Sequence, residues 1–228
     1  MKKKKKWIGL VLGAVCLFQI NVVPVQAEEY WPEGPQIAGE SAVVMEASTG
    51  TVLYEKNCHD QSYPASITKI MTSYLAVENS SLDEDVTFSK NSVYLTEGSG
   101  ISRDVGEVMT MEECLYGLML ESANECGYAI AEHVGKDYND FIKMMNDKAK
   151  ELGCKDTHFN NPHGLPDEDH WTSAYDIAQI SRAALKNDVF RMIVNTKRHT
   201  IPPTNKHTDE TYLINHHKML TNYQGDTQ

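Results

Sequence analysis

Tyr63-Pro64-Ala65-Ser66-Ile67-Thr68-Lys69-Ile70-Met71-Thr72 is the stretch on which the reading of this chain turns. Pro64 and the small residues after it favour a helix starting close to Ser66. Positions i and i+3 then share a face, which brings the Lys69 amine within reach of the Ser66 hydroxyl. A serine hydroxyl attacks poorly until a neighbouring base removes its proton, and here the base would be an amine. The spacing alone is unspecific, because a chain of this composition holds about one Ser-x-x-Lys by chance. Its weight comes from the Pro-Ala before it, the apolar Ile70 and Met71 behind it, and Ser122-Ala123-Asn124 placed 56 residues downstream.

The flanking pattern predicts alternating strands and helices. Ser41 to Glu46 and Thr51 to Lys56 are short apolar, β-branched runs around Ala47-Ser48-Thr49-Gly50, the signature of a hairpin that must join a larger sheet or pack on helices. A helix is expected from Ser66 to about Glu78, followed by an irregular stretch carrying Gly98, Gly100 and Gly106. Thr110-Met111-Glu112-Glu113 is a capping box, and it opens a helix with Cys114, Leu115, Leu118 and Met119 on one stripe. After Ser122-Ala123-Asn124 a second helix places Cys126, Ala129, Ile130 and His133 at i, i+3, i+4 and i+7, so the tripeptide falls at a junction between helices. A third helix runs from Tyr138 to Leu152 with Phe141, Met145, Ala149 and Leu152 inward. Asn160 to Pro166 is a loop, and Thr172 or Ser173 starts a helix through Lys186 with Ile177, Ile180 and Ala184 inward. Short extended pieces follow from Thr200, notably Thr211 to Ile214.

Residues 1–27 carry five lysines, an apolar run and Val25-Gln26-Ala27, the composition of a secretory signal cleaved after Ala27, with an uncleaved anchor as the alternative. The remaining 201 residues suffice for one domain, 28–228, and hold 16 basic against 32 acidic residues. Nucleic acid is therefore excluded as a natural partner. Cys58, Cys114, Cys126 and Cys154 are open to two readings, a pair of disulfides outside the cytoplasm or small buried thiols. No Cys-x-x-Cys and no His-Glu-x-x-His occurs among the nine histidines, so no metal and no cofactor is expected. His163 in its Pro-His-Gly loop shapes a turn on this reading.

Taken together, the Ala47-Ser48-Thr49-Gly50 turn, Pro64-Ala65-Ser66-Ile67-Thr68-Lys69, Ser122-Ala123-Asn124, and Met145 to Gly153 leading to Asn161-Pro162-His163-Gly164-Leu165 resemble the D-alanyl-D-alanine carboxypeptidases, low-molecular-mass penicillin-binding proteins related to serine β-lactamases. The resemblance implies an α/β chain of α+β type, an antiparallel sheet with a helical lobe. It also implies an extracytoplasmic enzyme acting on peptidoglycan stem peptides, inhibited covalently by β-lactams. Ser66 would be the nucleophile, Lys69 its base, Ser122 a proton relay to the leaving amine, and Asn124 a holder of Lys69 and the substrate amide. Ser89-Lys90-Asn91 also fits Ser-x-Asn, but its polar setting reads as solvated surface.

Such a base makes a physical demand. At an ordinary lysine pKa of about 10.4, a neutral Lys69 costs about 4.6 kcal/mol at pH 7. A helix N-terminus offsets only about 0.3–1 kcal/mol, whereas burial can lower a lysine by up to about 3–5 units. Lys69 is therefore expected to be buried close to Ser66 and Ser122.

The chain departs from the family in lacking Lys-Thr-Gly, which the resemblance places on a core strand beyond a segment like Asn215 to Leu220. The expectation is a C-terminally incomplete domain with its last sheet strands missing and little or no activity. Membrane attachment would rest only on an uncleaved signal or on a missing C-terminal anchor. Two alternatives stay open. A serine β-lactamase would need a glutamate such as Glu168 to activate water, and a wall-binding homologue would keep the fold without turnover.

Overall fold

A computed structural model describes residues 34–222; the expected leader, residues 1–27, lies outside them. In chain order the elements are β1 (Ala42–Met45), β2 (Val52–Lys56), a 3₁₀ turn (Ala65–Thr68), α1 (Lys69–Asn79), β3 (Asp85–Thr87), α2 (Lys90–Tyr94), β4 (Val108–Thr110), α3 (Met111–Leu120), α4 (Asn124–Gly135), α5 (Tyr138–Glu151), α6 (Ala174–Ala184), α7 (Asp188–Asn195), β5 (Arg198–Ile201), β6 (Thr211–Ile214) and α8 (Lys218–Asn222). The class is mixed α/β with antiparallel strands, as the sequence implies. The strands form three separate two-stranded ladders, β1–β2, β3–β4 and β5–β6, and no larger sheet forms among the described residues.

The core explains the placement of the site. One apolar cluster gathers Met111, Cys114, Leu115 and Leu118 of α3 with Cys126, Ala129 and Ile130 of α4, all buried. A second gathers Met71, Tyr74 and Leu75 of α1 with Phe141 and Met145 of α5, Phe159, and Ile180 and Ala184 of α6. Helix α1 belongs to both, since its Ala76 lies in the first cluster. Every residue from Met71 to Ala76 is buried, so water is excluded all round this helix rather than from a single stripe. Each large apolar side chain so buried contributes about 1.5–3 kcal/mol.

The local signals work as predicted at several ends. Thr110 and Glu113 form the reciprocal capping box of α3, and Ser173 caps α6 by accepting the Asp176 N–H. The α6 helix ends at Ala184, two residues short of the expected Lys186, and Asn187 caps a separate α7. Ser89 is neither catalytic nor simple surface: its hydroxyl caps the short α2 by accepting the Ser92 N–H at 3.0 Å. The β1–β2 turn is built around the Glu46 carboxylate, which accepts the Ser48 and Thr49 N–H groups at 3.0 and 2.6 Å and is held well below its ordinary pKa by the Thr49 hydroxyl first and these backbone bonds next. Arg182 of α6 clamps the turn by donating to the carbonyls of Ala47 and Ser48 at 2.6 and 2.9 Å. The hairpin thus packs on a helix, while Val44 and Leu53 on its opposite faces stay half exposed.

A buried ion pair ties the irregular stretch before β4 to the last hairpin. Arg103 Nη1 donates to Glu107 Oε1 at 3.0 Å, and both side chains are almost wholly out of water. Arg103 Nη2 reaches Thr211 Oγ1 at 3.0 Å, and Thr204 Oγ1 donates to Glu107 Oε1 at 2.8 Å. Removing one partner leaves the other charge buried alone. Glu107→Ala is expected to destabilise the fold by about 3–5 kcal/mol in urea unfolding, whereas an apolar pair such as Arg103→Met with Glu107→Leu should cost far less.

Candidate active site

Ser66 stands in the 3₁₀ turn that leads into α1, rather than in an α-helix as the sequence suggests. The difference helps the pairing, because side chains three apart eclipse in a 3₁₀ turn. Lys69 Nζ lies 3.2 Å from Ser66 Oγ. The Ser66 residue is exposed, while Lys69 is only 2% exposed.

Ser122 follows the end of α3 and has φ +58°, a left-handed backbone that few non-glycine residues adopt. This bend turns its hydroxyl toward Ser66, and Ser122 Oγ donates to Ser66 Oγ at 2.9 Å. Asn124, the first residue of α4, accepts from Lys69 Nζ at 2.7 Å through Oδ1. Its Nδ2 donates to the Glu97 carbonyl at 2.5 Å, which fixes the amide so that its oxygen faces the lysine. The Asn124 N–H donates to the Ser99 carbonyl at 2.8 Å, and Glu125 accepts the Ile101 N–H at 2.6 Å. The glycine-containing stretch from Glu97 to Ile101 therefore wraps the start of α4, and a Cβ on Gly100 would meet the Glu125 carboxylate at 2.6 Å.

The structure thus brings Ser66, Lys69, Ser122 and Asn124 together. A further contribution was not legible. The third Lys69 partner is the backbone carbonyl of His163, at 2.6 Å. The loop carrying it is stitched to α1 by Thr72 Oγ1 donating to the Pro162 carbonyl at 2.6 Å, and is folded on itself by Asn161 Oδ1 accepting the Gly164 N–H at 2.6 Å. Gly164 has φ +90°, and a Cβ there would fall 1.8 Å from the Ala65 carbonyl oxygen and 3.0 Å from Ser66 N. Only glycine permits this approach. Ala65 itself sits at φ +48°, so Ser66 is preceded by strained backbone pressed against the loop. The Gly-Leu pair was visible as a turn, but its contact with Ser66 depends on tertiary packing.

Two buried histidines support the turn. His170 Nδ1 accepts the Asn160 N–H at 2.9 Å, so its proton must sit on Nε2, which faces Thr68 Oγ1 at 2.7 Å. His163 Nδ1 accepts the Leu165 N–H at 3.3 Å, which fixes the same tautomer. Burial pushes His170 down to about 4, and burial with the nearby Lys69 charge pushes His163 down to about 3. Both imidazoles are neutral at physiological pH.

Burial likewise lowers Lys69 to about 8, against the opposing pull of Glu125 and of Cys126 were it ionised. At that value the neutral amine costs about 1.4 kcal/mol at pH 7, against about 4.6 for an ordinary lysine. Its three acceptors match the three N–H groups of the charged amine and also accommodate the neutral form. The Asn124 and His163 oxygens can only accept and so engage two N–H bonds, which leaves the lone pair for the Ser66 hydroxyl proton. The Ser122 hydroxyl can then donate to the Ser66 oxygen. Ser66, Lys69 and Ser122 open into a cavity of about 490 Å³ with Leu118, Leu120 and Val194 on its apolar side and Asn215, His216 and His217 on another wall. Glu168 lines a different cavity, with Tyr63 and Trp171. All four cysteines of the described residues are free thiols, three of them buried.

The family model described as D-alanyl-D-alanine carboxypeptidase matches residues 28–227. The chain is 38% identical over 193 residues to D-alanyl-D-alanine carboxypeptidase DacF of Bacillus subtilis, covering 82% of this chain and 48% of that protein. It is 32% identical over 188 residues to DacD of Escherichia coli, covering 77% and 48%. The chain thus spans about half the length of these curated relatives. The crystal structure of the Streptomyces K15 DD-transpeptidase superposes with a TM-score of 0.78 at 31% identity, over 85% of this chain and 79% of that one.

The histidine pair sets a pH dependence of stability. Both folded pKa values lie below the ordinary 6.5, so between pH 6.5 and about 4 the unfolded chain takes up protons that the folded chain refuses. Stability is fully present above about pH 7 and falls as pH drops, by up to about 1.4 kcal/mol per pH unit for each histidine. Urea unfolding between pH 7 and 5, above the range where carboxylates titrate, should show this slope, and His170→Gln should reduce it.

Proposed function

Because the chain belongs to the D-alanyl-D-alanine carboxypeptidase family, matched over residues 28–227, we propose that it carries the acylating machinery of a serine-type carboxypeptidase, with Ser66 as nucleophile. The observation that carries this reading is the Lys69 amine, buried and 3.2 Å from an exposed serine hydroxyl. Ser66 Oγ attacks the carbonyl of the penultimate D-alanine in a peptidoglycan stem peptide as its proton passes to Lys69 Nζ. The Ser66 N–H stabilises the developing oxyanion. Ser122 passes a proton to the departing amine, terminal D-alanine leaves, and water hydrolyses the resulting ester. Asn124 holds the lysine and offers its amide to the substrate. β-Lactams acylate the same hydroxyl and act as covalent inhibitors.

The separate cavity around Glu168 favours a carboxypeptidase over a β-lactamase, since that carboxylate does not share the cavity of Ser66. The lysine-rich, apolar residues 1–27 support export, action on the wall side of the membrane and a role in wall organisation and cell shape. No helix of the described residues is long and apolar enough to cross a membrane.

A fluorescent penicillin tests the proposal on the purified 228-residue chain. The label is expected on the peptide containing Ser66 and absent from Ser66→Ala. Its rate should rise with pH toward about 8, as Lys69 loses its proton, and then level. Labelling that persists in Ser66→Ala would sink the assignment.

A further inference from the structure

Glu121 stands at an unfavourable place. It is the C-cap of α3, beside the negative end of the helix dipole, and no basic residue occupies the last turn. A carboxylate there is disfavoured unless something else holds it, and two groups from a distant segment do. Glu121 Oε1 accepts the Ile214 N–H at 2.8 Å, and Oε2 faces His216 Nε2 at 2.9 Å. The His216 ring is largely exposed, so its pairing contributes little by itself. The bond from the end of β6, made to a charged acceptor on a mostly covered side chain, is the stronger anchor.

The next residue is Ser122, whose left-handed backbone aims its hydroxyl at Ser66. Among the described residues, the Ser122 side chain makes one hydrogen bond, the one to Ser66, so neighbouring atoms must keep this strained turn in place. Asn215, His216 and His217 line the cavity that also holds Ser66 and Ser122. We propose that Glu121 is a positioning residue that clamps the Ser122 turn to the 214–216 segment, setting both the relay hydroxyl and the part of the cavity lining that this segment supplies. The inference deepens the carboxypeptidase reading and rests on it for its kinetic consequence. Glu121 touches no reacting atom and acts through Ser122.

Two measurements on the full chain test it separately. The first is amide hydrogen exchange in wild type, Glu121→Ala and Glu121→Gln. The clamp predicts faster exchange at Ile214 and Ala123 in Glu121→Ala, with protection largely restored in Glu121→Gln, whose amide oxygen can still accept the Ile214 N–H. Unchanged exchange in Glu121→Ala overturns the proposal whether or not the chain reacts with penicillin. The second is the penicillin acylation rate, separated into noncovalent binding and the chemical step. Glu121→Ala is expected to slow the chemical step about tenfold with a smaller change in binding, and Glu121→Gln to recover most of it. An unaltered chemical step in Glu121→Ala, with wild type clearly labelled, also overturns the positioning role. A wild-type chain that is never labelled refutes the carboxypeptidase reading instead, and leaves the exchange measurement to decide the clamp.

Discussion

The removal of one ammonium group from water is the constraint on which the rest of this molecule depends. An amine can serve as a base near neutral pH only if its charged form is made costly, and burial is the means available here. The cost is imposed by α1, a helix walled in by two apolar clusters rather than lying on the surface. The same packing that stabilises the fold therefore prepares the chemistry. Its polar side is equally controlled, since the Asn124 and His163 oxygens hold the nitrogen at 2.7 and 2.6 Å and leave one direction for the serine. Full satisfaction of a buried polar group and readiness to accept a proton are met by one geometry.

Strain is concentrated around this point. Ala65 and Ser122 both adopt left-handed backbone, and Gly164 presses against the Ala65 carbonyl where no side chain fits. These departures are local costs that the helices on either side support. Neutral histidines belong to the same arrangement. His170 braces Thr68 between Ser66 and Lys69, and a second proton on its ring would confront the Asn160 N–H. Acid therefore works against the turn that carries Ser66 as well as against the neutral form of Lys69.

How much of this was legible follows from how local each signal is. The Thr110 capping box, the α3 and α4 stripes, the hairpin turn and the four polar site residues are written in spacings of a few positions, and the structure has them where the spacing suggests. The requirement that Lys69 be buried came from energetics rather than pattern, and the 2% exposure meets it. What escaped was contributed by backbone or by distant partners. The His163 carbonyl has no side-chain signature, the Arg182 clamp joins residues 134 and 135 positions apart, and the division into three small ladders depends on pairings that periodicity cannot specify. Ser89 shows the converse, a motif match whose hydroxyl is spent on capping a helix. His163 reads as a turn-shaping residue and does accept the Leu165 N–H there, whereas His170 has no local signal because its tautomer is set by the Asn160 N–H across a loop.

The contacts of Lys69 span 55 and 94 positions along the chain, beside one that spans only three. A nascent polypeptide therefore possesses its alcohol and amine early, yet lacks the distant oxygens that orient the nitrogen until the molecule has collapsed around α1. Because loop-closure entropy delays such long connections, reactivity should switch on late and abruptly during maturation. The geometry would then serve as its own checkpoint, with incompletely folded copies lacking the oriented amine beside the serine.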